Sequence, residues 1–143
     1  MNESTRKKLV AGLNDDLAHE YAAVITYRTY ASAVQGPYRQ ELRQFFTAEI
    51  ADEMGHAQML ADKIVALGGV PTTEAAPVKF TDDPRQMLKN ALDDEIATLK
   101  RYVARRKTAE SAGEHGLVVD LDTVIADETK HRDELRLMLG KWS

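Results

Sequence analysis

The sequence predicts an all-α chain: one four-helix bundle built as two antiparallel hairpins joined by a long crossover. Three observations lead there. Apolar residues recur at helical spacing through four long stretches, tight-turn residues divide the stretches into pairs, and a 16-residue segment without helical period separates the pairs.

The first helix is expected over about 4–34, where Leu9, Leu13, Leu17, Val24, Tyr27 and Ala31 form a core-facing stripe with Glu20 at its middle. Gln35-Gly36-Pro37 breaks it, and Pro37 is suited to begin the next helix. The second helix, about 38–67, presents Leu42, Phe46, Glu53, His56, Leu60 and Ile64 on one face, and Gly68-Gly69 ends it through positive φ. Residues 68–83 hold two prolines and are too long for a simple turn between neighbours. Fully extended they reach roughly 50 Å, enough to run the length of a bundle. Asp83-Pro84-x-Gln86 is a helix start with an N-cap, a first-position proline and a capping-box partner. The third helix, about 84–111, turns Leu88, Leu92, Glu95, Leu99 and Tyr102 inward. A turn at 113–116 leads to the fourth, about 117–139, with Leu117, Leu121, Val124, Glu128, His131 and Leu135 inward. Trp142 is expected to plug the end of the bundle, and the whole of 1–143 to form one domain.

Composition narrows the function. The chain has no cysteine, which excludes disulfides, iron–sulfur clusters and zinc ribbons and suits a cytoplasmic protein. A net charge of −4 argues against nucleic acid as the main partner, and the basic run Lys100–Lys107 reads as a solvated helix face. No apolar run approaches the ~20 residues of a membrane span, and the N-terminal residues lack the core of a signal peptide.

The chemistry lies in a motif that occurs twice. Residues 50–56 read IADEMGH and residues 125–131 read IADETKH, 75 positions apart. The same offset relates Glu20 to Glu95 and Tyr27 to Tyr102. On a helix, Glu53 with His56 and Glu128 with His131 each share a face, so one carboxylate and one imidazole can reach one ion. Glu20 and Glu53 lie equally far on either side of the first turn, so four glutamates and two histidines converge at one level. Four ionised carboxylates ~4–6 Å apart repel by ~3–4 kcal/mol per pair. Summed, that rivals the ~5–15 kcal/mol stability of a domain, so the layer must be protonated or filled by cations. Two divalent ions would balance it. Asp52 and Asp127, each preceding a ligand glutamate, are placed to orient the histidine of the opposite helix. Glu49 has no counterpart, since its equivalent is Val124, and reads as a salt-bridge partner or an extra metal ligand. His19 and His115 lack ligand spacing and are expected at the surface.

Glu20, Glu53-x-x-His56, Glu95 and Glu128-x-x-His131 resemble the ligand pattern of the ferritin-like di-iron carboxylate proteins, over essentially the whole chain. Within that superfamily the chain is similar to bacterioferritin and to the rubrerythrin-type erythrins. The resemblance implies two irons per chain, with manganese as the alternative metal, and Glu53 and Glu128 as bridges. Tyr27 and Tyr102 resemble the tyrosines behind the erythrin ligands, and the likeness to bacterioferritin makes Tyr27 an electron donor. Met54 stands where bacterioferritin has its haem-ligating methionine, which makes haem a secondary expectation. Two departures matter: Thr98 replaces an extra rubrerythrin glutamate, and the chain stops short of bacterioferritin's fifth helix. The resemblance therefore implies oxidation of Fe(II) by dioxygen or hydrogen peroxide, in iron storage or detoxification, by a small homo-oligomer with a dimer favoured. A rubrerythrin-like peroxide reductase is the alternative, and a structural or interaction bundle is the rival from another class.

Overall fold

A computed structural model describes residues 1–142; Ser143, the last residue of the expected domain, lies outside them. Four helices occur in the order α1 (Glu3–Ala33), α2 (Arg39–Ala66), α3 (Pro84–Ser111) and α4 (His115–Gly140). None is long and apolar enough to cross a membrane.

Local chemistry explains the boundaries. Asn2 caps α1 by accepting from the Thr5 amide at 2.8 Å. The last carbonyls of α1 take no basic residue from their own turn. Instead Arg39 donates to Ser32 O at 3.0 Å and to Val34 O, and Arg43 to Ala31 O at 3.0 Å. Pro37 stays in the turn, and α2 begins two residues later at Arg39. After α2, Gly68 adopts φ +82°. Gly69 does not: a Cβ there would meet Val10 Cγ1 at 2.6 Å, so its role is close approach to α1. Asp83 caps α3 through the Gln86 amide at 2.9 Å. The Gln86 side chain turns instead to Asn90 at 2.8 Å, so the capping box is only half made. Gly116 lies inside the first turn of α4 rather than in the connection.

The crossover, without regular structure, runs alongside α1. Asn14 brackets it, donating to Val70 O at 3.0 Å and accepting from the Thr72 amide at 2.8 Å. Further on, the Ala76 amide donates to Ala18 O at 2.9 Å. These contacts return the chain to the far end of the bundle, so that α3 lies antiparallel to α1. Residue pairs Asp16–Arg105, Glu20–Tyr102, Tyr27–Glu95 and Tyr30–Asn90 step along the two helices in opposite directions.

The core is in two parts. Leu9, Leu13, Leu17, Leu60, Ile64, Leu117 and Leu121 fill one end, and Tyr30, Phe46, Met87, Leu88 and Leu135 fill the other. Trp142 packs against the second part and meets Tyr38 edge-on at 5.2 Å. Between the two parts lies a buried polar layer.

Candidate metal centre

The layer contains every one of the six motif residues. Glu20, Glu53, His56, Glu95, Glu128 and His131 are all buried. Together with buried Glu49 they fall into two overlapping groups whose possible ligand atoms lie within 4.8 Å of one another: Glu20, Glu53, His56 and Glu128; and Glu49, Glu53, Glu95 and His131.

Around His56, Nδ1 faces Glu128 Oε1 at 3.1 Å, Glu20 Oε1 at 3.7 Å and Glu53 Oε2 at 3.9 Å. Around His131, Nδ1 faces Glu49 Oε2 at 2.8 Å, Glu53 Oε1 at 3.5 Å, and Glu95 and Glu128 at 3.6 Å each. Glu53 thus turns one oxygen to each histidine, and Glu128 approaches both.

The outer nitrogens of the two imidazoles are held by a crossed pair. His56 Nε2 lies 3.2 Å from Asp127 Oδ2, and His131 Nε2 lies 3.0 Å from Asp52 Oδ2. A proton on Nε2 given to aspartate leaves each Nδ1 lone pair aimed into the layer. Behind the carboxylates, Tyr27 donates to Glu95 Oε1 at 2.9 Å, and Tyr102 donates to Glu20 Oε1.

The layer does not satisfy itself. Among the described residues, the buried side-chain nitrogens and oxygens without a hydrogen-bond partner all belong to it: Nδ1 of both histidines and oxygens of Glu20, Glu49, Glu53, Glu95 and Glu128. Buried polar groups are rarely left so. Without cations, protons must take their place. Burial first, then the neighbouring carboxylates, raise Glu53 well above its ordinary range and Glu128 to about 8. Burial pulls the imidazoles down, but Glu128 and Glu20 beside His56, and Glu49 and Glu95 beside His131, outweigh it and raise both to about 11. Burial and the adjacent carboxylates also raise both tyrosines well above 10, so they remain neutral donors. Hard oxygen donors with two imidazoles and unmatched negative charge suit divalent first-row cations.

Other residues singled out in the sequence lie elsewhere. Met54 is 56% exposed and lines an apolar groove of about 700 Å³ with Tyr21, Ile25 and Arg28. The Thr98 hydroxyl accepts from Arg101 at 2.8 Å. His19 is half-buried against Asp15, and His115 is exposed. The basic run is only partly free: Arg106 pairs with Asp122, and Arg105 reaches Asp16 at 2.7 Å.

Sequence reasoning missed that last pair. Asp16 is buried one turn from Glu20; burial raises it, and Arg105 opposes the rise. The Arg105 guanidinium lies over Gly12, where a Cβ would come within 1.9 Å of it. A glycine inside a helix, at a cost of about 1 kcal/mol against alanine, was the available signal.

A family model described as "Ferritin-like domain" matches residues 10–143. Among curated proteins, the bacterioferritin of Streptomyces coelicolor is 26% identical over 135 residues, covering 92% of this chain and 80% of its own. Among solved structures, a ferritin-like, diiron-carboxylate protein from Bacillus anthracis superposes with a TM-score of 0.94 at 48% identity, covering 97% of this chain and 99% of that one. The bacterioferritin of Desulfovibrio desulfuricans shares the fold at a TM-score of 0.89 and 24% identity, covering 98% and 83%.

Proposed function

The chain belongs to the ferritin-like domain family, and from that premise we propose that it binds two Fe(II) ions in the buried layer and oxidises them with dioxygen or hydrogen peroxide, in iron storage or detoxification. The observation that carries this reading is the set of unpartnered Nδ1 and carboxylate atoms, gathered within reach of one another between two apolar clusters. A purely structural or interaction bundle has no use for such a layer, which costs stability unless cations fill it.

The ligands in this reading are Glu20, Glu53, His56 and Glu128 on one side, with Glu53, Glu95, Glu128 and His131 on the other. Glu53 and Glu128 are the bridges, since each approaches both histidines. Two ferrous ions held together supply one electron each, enough with two protons to reduce dioxygen to hydrogen peroxide. Asp127 and Asp52 keep the imidazoles in the ligating tautomer. Tyr102 and Tyr27 fix the terminal carboxylates, and the leucine and aromatic layers above and below keep bulk water out. When only one Fe(II) is present, Tyr27 is the electron donor in this reading. With that ion it would supply the second electron that reduces hydrogen peroxide to two waters, its phenolic proton passing along the 2.9 Å hydrogen bond to Glu95 and a second proton coming from solvent. Manganese meets the same donor set.

The groove beside Met54 supports a second feature of the reading, a dimer. Its apolar walls and the exposed thioether suit a second copy across a two-fold axis; Met54 is the residue that would hold haem there, and Arg28, which lines the same groove, would offer it a positive charge.

Anaerobic loading with Fe(II), followed by dioxygen or separately by peroxide, tests the chemistry by near-ultraviolet absorbance of the ferric product. Fast oxidation of two Fe(II) per chain is expected, with most of it lost in Glu20→Ala and His131→Ala. Oxidation no faster than that of free Fe(II) would refute the reading. Repeated peroxide turnover with an electron donor, without net iron uptake, would instead establish the rubrerythrin-like peroxide reductase.

A further inference from the structure

The two halves of the centre are not equivalent, and the difference is Glu49. It sits on α2 one turn before Glu53 and on the same face. Its side chain is buried, with the residue only 6% exposed, and Oε2 reaches to 2.8 Å from His131 Nδ1 without making a hydrogen bond. Among the described residues no lysine or arginine pairs with it. The corresponding position on α4, one turn before Glu128, is Val124, buried in the apolar cluster. His131 therefore faces four carboxylates and His56 faces three.

We propose that Glu49 is a metal ligand private to the His131 half, so that this half binds its divalent ion more tightly and fills first. The proposal rests on the dinuclear reading given above and adds to it an order of filling. A carboxylate buried beside an imidazole lone pair, with no cationic side chain in reach, is unfavourable unless an ion joins the two. A salt bridge to a protonated His131 is the competing account of the same contact. In that account Glu49 would have no preference between the two ions.

Such a centre would hold one ion firmly and exchange the other. The exchangeable ion would be the one on the His56 side, bound by the poorer donor set. A symmetric centre would load both ions together.

Anaerobic titration with Co(II), which is not oxidised by the cycle, separates these accounts through its visible ligand-field bands and through calorimetry. In the unaltered protein two steps are expected, with affinities at least tenfold apart. Glu49→Gln keeps the shape and removes the charge; it should weaken one step at least tenfold and bring the two together. The assignment to one half comes from a cycle. Added to His56→Ala, which leaves the His131 half, Glu49→Gln should still cost at least tenfold. Added to His131→Ala it should cost less than threefold. Equal weakening in both backgrounds, or two Co(II) bound identically with and without Glu49, would overturn the proposal while leaving the dinuclear reading in place. Failure of the unaltered protein to bind two Co(II) would overturn both. Helical circular dichroism of each metal-free variant establishes that it is folded.

Discussion

Raising the pH should destabilise the metal-free protein, and Glu128 should be one cause, alongside Glu53, whose carboxyl is also held well above its ordinary range. The pKa of Glu128 rises from 4.5 to about 8 in the folded chain. A group whose folded pKa is raised contributes stability that is fully present below the unfolded value and lost as pH climbs through the folded value. The window is therefore pH 4.5 to 8. Each unit is worth 1.36 kcal/mol, so the loss is on the order of 5 kcal/mol, a large share of a domain's stability. His56 and His131, raised from 6.5 to about 11, act in the same direction above pH 6.5. Glu20, held below its ordinary 4.5, loses its contribution only under more acid conditions. For a chain of this length each kcal/mol moves Tm by about 4 °C. Through Glu128 alone the metal-free protein should melt on the order of 15 °C lower at pH 8.5 than at pH 5, measured with chelator present, and Glu53 and the two histidines add to that drop. Glu128→Gln should remove the part of that slope that Glu128 contributes between pH 4.5 and 8. Saturating Mn(II) should reverse it, because ions displace the protons. A metal-free Tm that is flat or rises across this range would refute the reasoning, as would an unchanged slope in Glu128→Gln.

Two further outcomes follow from the surroundings of the layer. Asp127→Asn removes the acceptor for His56 Nε2, so metal affinity on that side should fall 10- to 100-fold, with the fold intact by circular dichroism; unchanged affinity would show that Asp127 does not orient the imidazole. Protein loaded with haem should sediment as a dimer and show a Soret band that Met54→Leu abolishes; protein that takes up no haem would end that part of the reading.

Much of this centre was legible because helices convert spacing into position. Glu53 and His56, three apart, had to share a face. The placement of Asp52 and Asp127 beside their ligand glutamates implied the crossed pairing now seen at 3.0 and 3.2 Å. What stayed hidden depends on how one helix lies against another. Asp16 and Arg105 are 89 positions apart, and no periodicity joins them. Glu49 read as a salt-bridge partner or an extra metal ligand without an equivalent on α4, and its 2.8 Å approach to His131 depends on how α2 packs against α4. Pro37 and Gly69 do not play the parts expected of them: α2 starts two residues after Pro37, and Gly68 alone takes the positive φ. Proline tolerates the turn as well as the first helical position, and glycine serves close approach as well as positive φ.

The chain is a tandem of two similar hairpins held in one polypeptide. Two separate identical hairpins, meeting about a dyad, could assemble the same six ligands, but every change in one would appear in both. Joining them through residues 67–83 removes that constraint, so each half is free to drift. The traces are visible: Glu49 answers to Val124, and buried Asp16 answers to buried Ala91. Covalent linkage thus acts here less as reinforcement than as licence for inequality, letting one chain give its two buried histidines different neighbours.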